Sequence, residues 1–368
     1  MILCCPDKLR GSLAAREAAA ALARGVEEAG LQARALPLAD GGEGTLDALI
    51  DAAEAEVFEV AAPDALGAPA TARVAMLDGG RAVIEMAEAA GHRPQGPRDV
   101  MRASTEGVGR VIRAAFDLGA RHVTVGAGGT TTVDGGLGAL RALGGRLIAA
   151  DGSELAGGGE GLTRLAEIDA AGLDPRLRGA LRIAVDVTAP LCGPDGAARA
   201  FGPQKGADPG EVEELEAGLG RLAALVGADP VAASGLGAAG GFAAPFVALA
   251  AAEVCSGAAF VRDAVGLRDA MAGARLCVTA EGKVDRQTAM GKTIAGVVET
   301  AAAAGVPAVV VAGTVDPEGA DALYELGAAA VLGVLSGPMT PAEAEDAAAA
   351  ELQRAGRGVA SLAARLGV

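Results

Sequence analysis

The sequence predicts a two-domain α/β protein, in which both ends of the chain form one parallel-sheet domain and the middle forms a second, inserted α/β domain. Apolar, β-compatible segments alternate with helical segments at both ends, which favours parallel strands with crossover helices. The middle has longer and more glycine-rich loops, and 368 residues suit two domains better than one. We expect residues 1–63 and 273–368 in the first domain and residues 64–272 in the second.

The N-terminal part reads as strand, helix, strand, helix and strand. The apolar stretch MILCC predicts the first strand, and Ser12 can cap a helix that ends near Gly30. A second strand is expected over ARALPLAD, a second helix over 44–53, and a third strand over AEVFEVAAPD. Because this pattern is a βαβαβ unit, we expect the third strand to continue the first sheet.

The alternation resumes after a middle part of different character. In that middle part, TARVAML and RAVIEMA flank Asp78-Gly79-Gly80, which predicts a β-hairpin. After it we expect a strand over 274–282, a helix over 292–304, and a wholly apolar strand over 306–313 that is buried on both faces. A helix near 317–326, a strand over AAVLGVL and an alanine-rich helix follow.

Composition and charge exclude several classes of protein. The formal net charge of −16 repels nucleic acid and anionic membranes, and only 2% of the residues are aromatic, so neither partner is expected. The five scattered cysteines form no C-x-x-C pair, which indicates reduced thiols instead of a disulfide framework or a zinc site. The N-terminus lacks the basic and apolar regions of a signal peptide, so we expect a cytoplasmic protein.

Glycine and acidic residues recur where strands are expected to end. Such loops lie at 6–12, 40–45, 128–136, 186–196 and 281–285. In open α/β sheets, ligands bind beyond the carboxyl ends of the strands, and bare peptide N–H groups there can hold an anion. The acids suit Mg²⁺, a hydroxyl group or removal of a hydroxyl proton. Each loop alone reads as an ordinary turn, but the five together indicate phosphoryl transfer.

Standard nucleotide-binding motifs do not account for these loops. MGKT at 290–293 resembles the end of a Walker A loop, but Arg286 occupies the position that requires glycine. Gly235, Gly237 and Gly240 match G-x-G-x-x-G, yet VAASG before them is a poor strand, so a Rossmann dinucleotide site is only an alternative. The G-x-S-x-G motif and the protein-kinase signatures are absent from the sequence.

Six blocks, in order, carry a resemblance to a known family. They are PDKLRGSLAAREAAAALARGV, PLADGGEGT, GGTTTVDGGLGALRALGG, DVTAPLCGPDGAARAFGPQKGA, GLGAAGGF and TAEGKVDRQTAMGK. With these blocks the chain resembles the bacterial glycerate kinase family, the type with two α/β domains. The resemblance implies a flavodoxin-like domain built from both chain ends, an inserted α/β domain and an active site in the cleft between them. It also implies ATP-dependent phosphorylation of D-glycerate, with 2-phosphoglycerate favoured over 3-phosphoglycerate as the product.

The chain departs from the family pattern at a few positions. Lys8 stands where a hydroxyl residue is common, although the cation that follows is kept as Arg10. Ala280 stands where glycine is usual, and Lys283 stands where arginine is common. Lys8 adds positive charge near the expected site, so it bears on which hydroxy acid is accepted.

Catalytic roles are expected for three residues. Asp186 follows an apolar strand and is the candidate general base for the attacking hydroxyl; an acid that caps the following turn is the alternative. Arg10 and Lys8 are candidates for holding the glycerate carboxylate or the transferred phosphoryl group. For these two cations, a solvated position at a helix start is the alternative.

The other expected site residues form three groups. The substrate-binding group is Asp7, Asp40, Gly41, Gly42, Glu43 and Lys283. The group for the nucleotide and its phosphates is Gly128, Gly129, Thr130, Thr131, Lys205, Gln287 and Lys292. The metal group is Asp134, Glu281 and Asp285, so ATP and Mg²⁺ are the expected cofactors.

The expected partner is a small molecule, D-glycerate, and the chain is expected to be a monomer or a homodimer. Two other functions stay open at this point. One is a kinase for a related small hydroxy acid, and the other is a protein that binds a sugar acid without catalysis.

Overall fold

Two compact units make up the chain in a computed structural model that describes residues 1–9, 11–53, 55–91, 98–229, 231, 234–286, 288 and 293–367. The first unit contains Met1–Asp40, Asp47–Ala53 and Ala258–Val368, and the second contains Gly41–Leu46 and Glu54–Gly257. The boundaries expected from the sequence are 63/64 and 272/273. Each unit has a hydrophobic core of its own.

Strands and helices alternate through most of the described residues. The strands are β1 Ile2–Cys4, β2 Ala33–Ala35, β3 Glu56–Pro63, β4 Pro69–Leu77, β5 Arg81–Glu85, β6 His122–Gly126, β7 Arg146–Ala149, β8 Leu165–Asp169, β9 Leu181–Val185, β10 Glu253–Ser256, β11 Leu276–Val284, β12 Ala308–Val315 and β13 Ala330–Gly333. The helices are α1 Ala15–Glu28, α2 Thr45–Ala53, α3 Met86–Ala90, α4 Glu106–Asp117, α5 Leu137–Ala142, α6 Gly159–Arg164, α7 Ala197–Phe201, α8 Pro209–Val226, α9 Ala243–Ala250, α10 Gly257–Ala264, α11 Leu267–Ala272, α12 Thr293–Ala304, α13 Pro317–Glu325 and α14 Pro341–Leu366.

A parallel sheet with the strand order β2-β1-β11-β12-β13 forms the centre of the first unit. Counted within the unit, this is the 2-1-3-4-5 order of flavodoxin-like folds, as predicted. Ile2 lies opposite Leu276 and Cys4 opposite Val278, so the two ends of the chain share one sheet. The first five residues of β12 are buried, because helices cover both faces of a central parallel strand.

Helices α1 and α14 cross at two glycines in this unit. A Cβ added to Gly25 of α1 would collide with the carbonyl oxygen of Gln353. A Cβ added to Gly356 of α14 would collide with the carbonyl oxygen of Leu22. The two helix backbones are therefore in direct contact, and this contact fixes where α14 lies against the rest of the unit.

A six-stranded mixed sheet with the order β10-β9-β6-β5-β4-β3 forms the centre of the second unit. Strands β5, β6, β9 and β10 are parallel to their neighbours in this group. β4 joins β5 through an antiparallel hairpin at residues 78–80, which confirms that prediction. A separate two-stranded sheet is formed by β7 and β8.

Strand β3 corrects the expected βαβαβ unit. It pairs with β4, antiparallel and along its whole length, in the sheet of the second unit. The turn between β3 and β4 is stabilised by Asp64, whose Oδ1 accepts hydrogen bonds from the N–H groups of Leu66 and Ala68. Exposed and half-buried residues alternate along most of β3, which suits the edge of a mixed sheet and not the interior of a parallel one. The third strand is present where it was expected, but its predicted place in the first, parallel sheet is wrong. The second strand is shorter than expected, at Ala33–Ala35.

All five cysteines are free thiols. Cys5 and Cys277 lie on neighbouring strands of the first unit with their sulfur atoms 3.2 Å apart. The hydrogen bond with Cys277, together with burial, raises the pKa of the Cys5 thiol well above its ordinary value. The Cys5 thiol is therefore protonated and weakly nucleophilic. Among the described residues, no helix is both long and apolar enough to cross a membrane.

We predict that Gly356→Ala destabilises the first unit by about 2 kcal/mol, because the added Cβ must push α14 away from α1. Gly358→Ala is the matched control, since it lies on the same helix and its added Cβ would meet nothing within 4 Å. The control should be more stable than the wild type by up to about 1 kcal/mol, from helix propensity alone. Denaturant unfolding followed by circular dichroism measures both changes, and equal stability of the two variants would contradict the close crossing.

Candidate functional site

A cavity of ≈ 450 Å³ lies at the carboxyl ends of the strands of the first unit. Each strand end contributes to its lining: Asp7 after β1, Asp40 after β2, Glu281, Gly282 and Lys283 in β11, Gly313 in β12, and Val334 and Leu335 after β13. Strand β2 lies on one side of β1, and β11, β12 and β13 lie on the other, so the strand order reverses at this point. Doubly wound sheets bind their ligands at such a point.

Two acids and a lysine meet where β1 and β2 end. Lys8 Nζ lies 3.5 Å from Asp40 Oδ1, and the backbone N–H of Lys8 donates to Asp7 Oδ1 at 2.7 Å. Burial, with a smaller effect from Asp40, raises the pKa of the Asp7 carboxyl to about 6. A hydrogen bond from Thr293 and the charge of Lys8 oppose this rise in the pKa. Asp7 can therefore exchange a proton close to neutral pH.

The middle of the cavity is formed by the end of β11. Glu281 and Lys283 both line it, and Lys283 Nζ lies 3.5 Å from Asp285 Oδ2. The Lys283 side chain is 62% exposed, so it can change partners at little cost. This end of β11 therefore combines an acid in the cavity wall with a cation that is free to turn towards an anion.

The acids of this cavity fit a magnesium ion that arrives with a ligand. Asp7, Asp40 and Glu281 offer carboxylate oxygens, which are the ligands that Mg²⁺ prefers. In the part of the chain that the structure describes, no group of three or more His, Cys, Asp or Glu side chains is close enough to hold a metal ion. Mg²⁺ usually binds through one or two carboxylates together with substrate phosphates and water. The donor set therefore suits a metal–phosphate complex better than a permanent metal centre.

In the second unit, two glycine loops meet at the carboxyl ends of β5 and β6. A Cβ on Gly128 would lie 2.6 Å from the Cα of Gly42, and a Cβ on Gly126 would lie 2.7 Å from the carbonyl oxygen of Gly41. Gly41 itself has a φ of +96°, and a Cβ there would collide with Gly257. Backbone packing alone therefore requires glycine at Gly41, Gly126 and Gly128, whatever these loops bind.

The predicted general base lies at the same edge of the second unit. Asp186 is exposed and directly follows β9, which runs beside β6 with Ala184 opposite Gly126. The N–H of Ala127 donates to the carbonyl oxygen of Ala184 at 2.8 Å. Asp186 and the loop that begins at Gly128 therefore leave neighbouring strands in the same direction.

Lys205 reaches the 128–132 loop from the turn at Pro203–Lys205. Its Nζ donates to the carbonyl oxygen of Thr132 at 2.8 Å and to Thr130 Oγ1 at 3.3 Å. The residue is only 8% exposed. Burial lowers the pKa of the Lys205 ammonium group to about 8, and the charge of Asp134 opposes part of this shift. Lys205 thus holds the loop and gives it a positive charge at neutral pH.

Asp134 is fully buried and engaged by protein donors. Its Oδ2 accepts from the N–H and the hydroxyl of Thr105 and from the N–H of Gly138, and its Oδ1 accepts from the N–H of Gly136. Burial raises the pKa of Asp134, and these hydrogen bonds oppose the rise. The contacts assign Asp134 to holding the turn before α5. Its metal-binding role stays a prediction that this geometry does not favour.

The structure places the predicted site residues in two groups, one in each unit. The group in the first unit is Asp7, Lys8, Asp40, Glu281, Lys283 and Asp285. The group in the second unit is Gly41, Gly42, Glu43, Gly128, Gly129, Thr130, Thr131, Asp186 and Lys205. The predictions for Arg10, Gln287 and Lys292 concern residues outside those that the structure describes.

Two contributions to these sites were not predicted from the sequence. Glu85, buried at the end of β5, accepts the N–H of Leu46 near the start of α2. Asp186 was predicted because it is an acid at the end of an apolar strand. Glu85 stands at the end of the apolar strand β5, so the same pattern could have predicted it. Helix α14 lines the first-unit cavity with Glu345 and Leu352, and no local pattern links these residues to Asp7, more than 300 positions earlier.

The fold and the two groups of residues define the class of two-unit, doubly wound α/β proteins, whose ligands bind at strand ends. The model of the glycerate kinase family matches residues 2–364. The chain is 39% identical to the glycerate kinase of Bacillus subtilis (strain 168) and 37% identical to the glycerate 2-kinase of Escherichia coli (strain K12), each over 98% of this chain and 97% of the relative. A crystal structure described as glycerate kinase 2 from Salmonella typhimurium LT2 superposes with a TM-score of 0.83 at 37% identity, over 100% of this chain and 99% of that one. The chain belongs to the glycerate kinase family.

We predict that Lys205 makes stability depend on pH in the alkaline range. Its folded pKa of about 8 lies below the ordinary 10.5, so the unfolded chain binds more protons between these values and stability rises with pH across this window. Relative to Lys205→Met, which does not titrate, the wild type should gain about 3 kcal/mol over this window. Denaturant unfolding of both proteins from pH 7 to 10.5 measures the difference. If the difference in unfolding free energy between the wild type and Lys205→Met does not change with pH, Lys205 is not a buried group with a lowered pKa.

Proposed function

We propose that the chain transfers the γ-phosphoryl group of ATP to D-glycerate, with Mg²⁺, and forms 2-phosphoglycerate. The observation that carries the proposal is the similarity, over nearly the whole chain, to proteins named glycerate kinase and glycerate 2-kinase. The name of the E. coli relative supports the 2-hydroxyl group as the acceptor. A cytoplasmic location and a monomeric or homodimeric state stay predictions.

In the proposed reaction, Asp186 accepts the proton of the attacking hydroxyl group. The hydroxyl oxygen forms a bond to the γ-phosphorus, and the bond from that phosphorus to the bridging oxygen breaks, so that ADP leaves with the electron pair. The exposed position of Asp186 at a strand end supports this role, because a general base must reach a bound substrate. Lys205 and Thr130 supply a cation and a hydroxyl group on the neighbouring loop.

In this proposal, the residues that line the cavity of the first unit balance the negative charge of the ATP phosphates. One or two of the carboxylates of Asp7, Asp40 and Glu281, together with the phosphates, would hold Mg²⁺, and the ion would neutralise phosphate charge when bound. Lys8 and Lys283 line the same cavity and supply positive charge of their own. The role predicted for Arg10 joins theirs in this proposal.

Product identification tests the proposed function. After incubation with Mg-ATP and D-glycerate, we expect a new phosphorus resonance that is split into a doublet, because the 2-phosphate couples to a single proton. A triplet from coupling to a CH₂ group would assign 3-phosphoglycerate and overturn the choice of hydroxyl. ADP release only with another hydroxy acid would favour a related kinase, and binding of D-glycerate without turnover would favour a non-catalytic protein.

We predict that Asp186→Asn lowers kcat with D-glycerate by about 100-fold or more, because the amide cannot accept the hydroxyl proton. Asp195→Asn is the matched control, since Asp195 is an exposed acid in the same connection between β9 and α7. The control should keep kcat within about twofold, and steady-state kinetics with a coupled ADP assay gives both values. Near-normal turnover of folded Asp186→Asn would remove Asp186 from the proposed role.

A further inference from the structure

The cavity of the first unit has two chemically different ends. Where β1 and β2 end, its lining is charged and comprises Asp7, Lys8 and Asp40. Where β13 ends and α14 begins, its lining is largely apolar and includes Val334, Leu335, Ala348 and Leu352. The strand order places these two ends on opposite sides of β11, so the difference follows from the fold itself.

The size of the cavity exceeds what a small hydroxy acid needs. Its volume of ≈ 450 Å³ lies in the range of sites that enclose drug-sized molecules. A three-carbon hydroxy acid has the bulk of a few water molecules and would leave most of this space to solvent. It is also polar along its whole length, so it gains nothing from an apolar end. A ligand that is polar at one end and apolar at the other matches the lining.

Charge fixes the direction in which such a ligand can lie. Glu345 and Glu351 line the α14 end. Arg354 balances the charge of Glu351, so the carboxylate of Glu345 is the group that disfavours a phosphate there. At the other end Lys8 attracts phosphate, and Lys283 does so from the middle of the cavity. Thr293, the first residue of α12, also lines the cavity. The N-terminus of a twelve-residue helix adds a favourable partial charge for an anion.

The two ends also belong to one continuous wall. The hydroxyl of Ser12, in the loop between β1 and α1, donates to the carbonyl oxygen of Glu345 in the first turns of α14 at 2.8 Å. Both residues line the cavity. The contact ties α14 to the loop after β1, so that the apolar and charged ends border the same cavity.

We propose, on the basis of the proposed function, that this cavity takes the nucleotide, with the nucleoside at the β13–α14 end and the phosphates at the β1–β11 end. The assignment differs from the sequence-based one, which gave Asp7, Asp40 and Lys283 to the hydroxy acid and the 128–131 loop to the nucleotide. It leaves the glycine loops and Asp186 of the second unit to the hydroxy acid.

A space-filling variant tests the nucleoside end. Ala344 lines the cavity and is uncharged, so Ala344→Leu narrows this end without touching Lys8, Lys283 or the acids near β1. Ala350→Leu, at an exposed position of the same helix, is the control. Calorimetric titration with Mg-ADP should show at least a tenfold weaker Kd for Ala344→Leu and a Kd within twofold of the wild type for Ala350→Leu. Tripolyphosphate, which has no nucleoside, should bind all three proteins within threefold of one another.

Photolabelling of the wild type with 2-azido-ADP locates the nucleoside independently of any variant. It therefore tests the assignment even if Ala344→Leu does not fold. Label is expected within residues 334–352, and label confined to the second unit would overturn the assignment. Unchanged ADP affinity in folded Ala344→Leu, or no ADP binding to the wild type, would overturn it too.

The same experiments separate this inference from the proposed function. ADP bound at residues 334–352 without turnover of D-glycerate would support the nucleotide assignment and refute the glycerate kinase reaction. Turnover of D-glycerate with the label elsewhere would refute the nucleotide assignment alone.

Discussion

The parallel pairing of β1 with β11 is the interaction on which the first unit depends. Beyond the end of β1, the register continues because the N–H of Cys5 donates to Val278 and the N–H of Asp7 donates to Ala280. The hydroxyl of Thr279 donates back to the carbonyl oxygen of Cys5. These bonds bring an N-terminal loop and a C-terminal strand end to the same place, and the reversal of strand order there creates the cavity.

In both units, site residues with charged side chains are partly or fully buried away from water. Burial moves the pKa of Asp7 up to about 6 and that of Lys205 down to about 8, so both lie closer to neutrality than usual. Each shift costs stability, since the charged form is less well solvated in the folded protein. The same low local dielectric strengthens the attraction of a bound anion or cation, so groups of this kind are frequent at functional sites.

Local patterns in the sequence were sufficient for much of the fold, because strand and helix periodicities are local properties. The apolar run in β12, the glycine turn between β4 and β5 and the acid after β9 were all recognised in this way. Strand β3 was misassigned because its composition does not say which strand it pairs with, and the Asp64 turn selects an antiparallel neighbour. Glycine at Gly41 is predicted for an anion cradle, but close backbone packing against Gly257 is by itself enough to require it. The contribution of α14 to the cavity depends on tertiary packing, for which the sequence has no local signal.

The pairing of Ile2–Cys4 with Leu276–Val278 also has a consequence for synthesis of the protein. At ribosomal rates of 5–20 residues per second, the first strand waits on the order of 10 to 50 s before its C-terminal neighbour has been translated. The segment between them that forms the second unit has all of its own strands by then. The inserted unit is therefore able to fold first, and until β11 is translated β1 has one open edge that other chains and chaperones can reach.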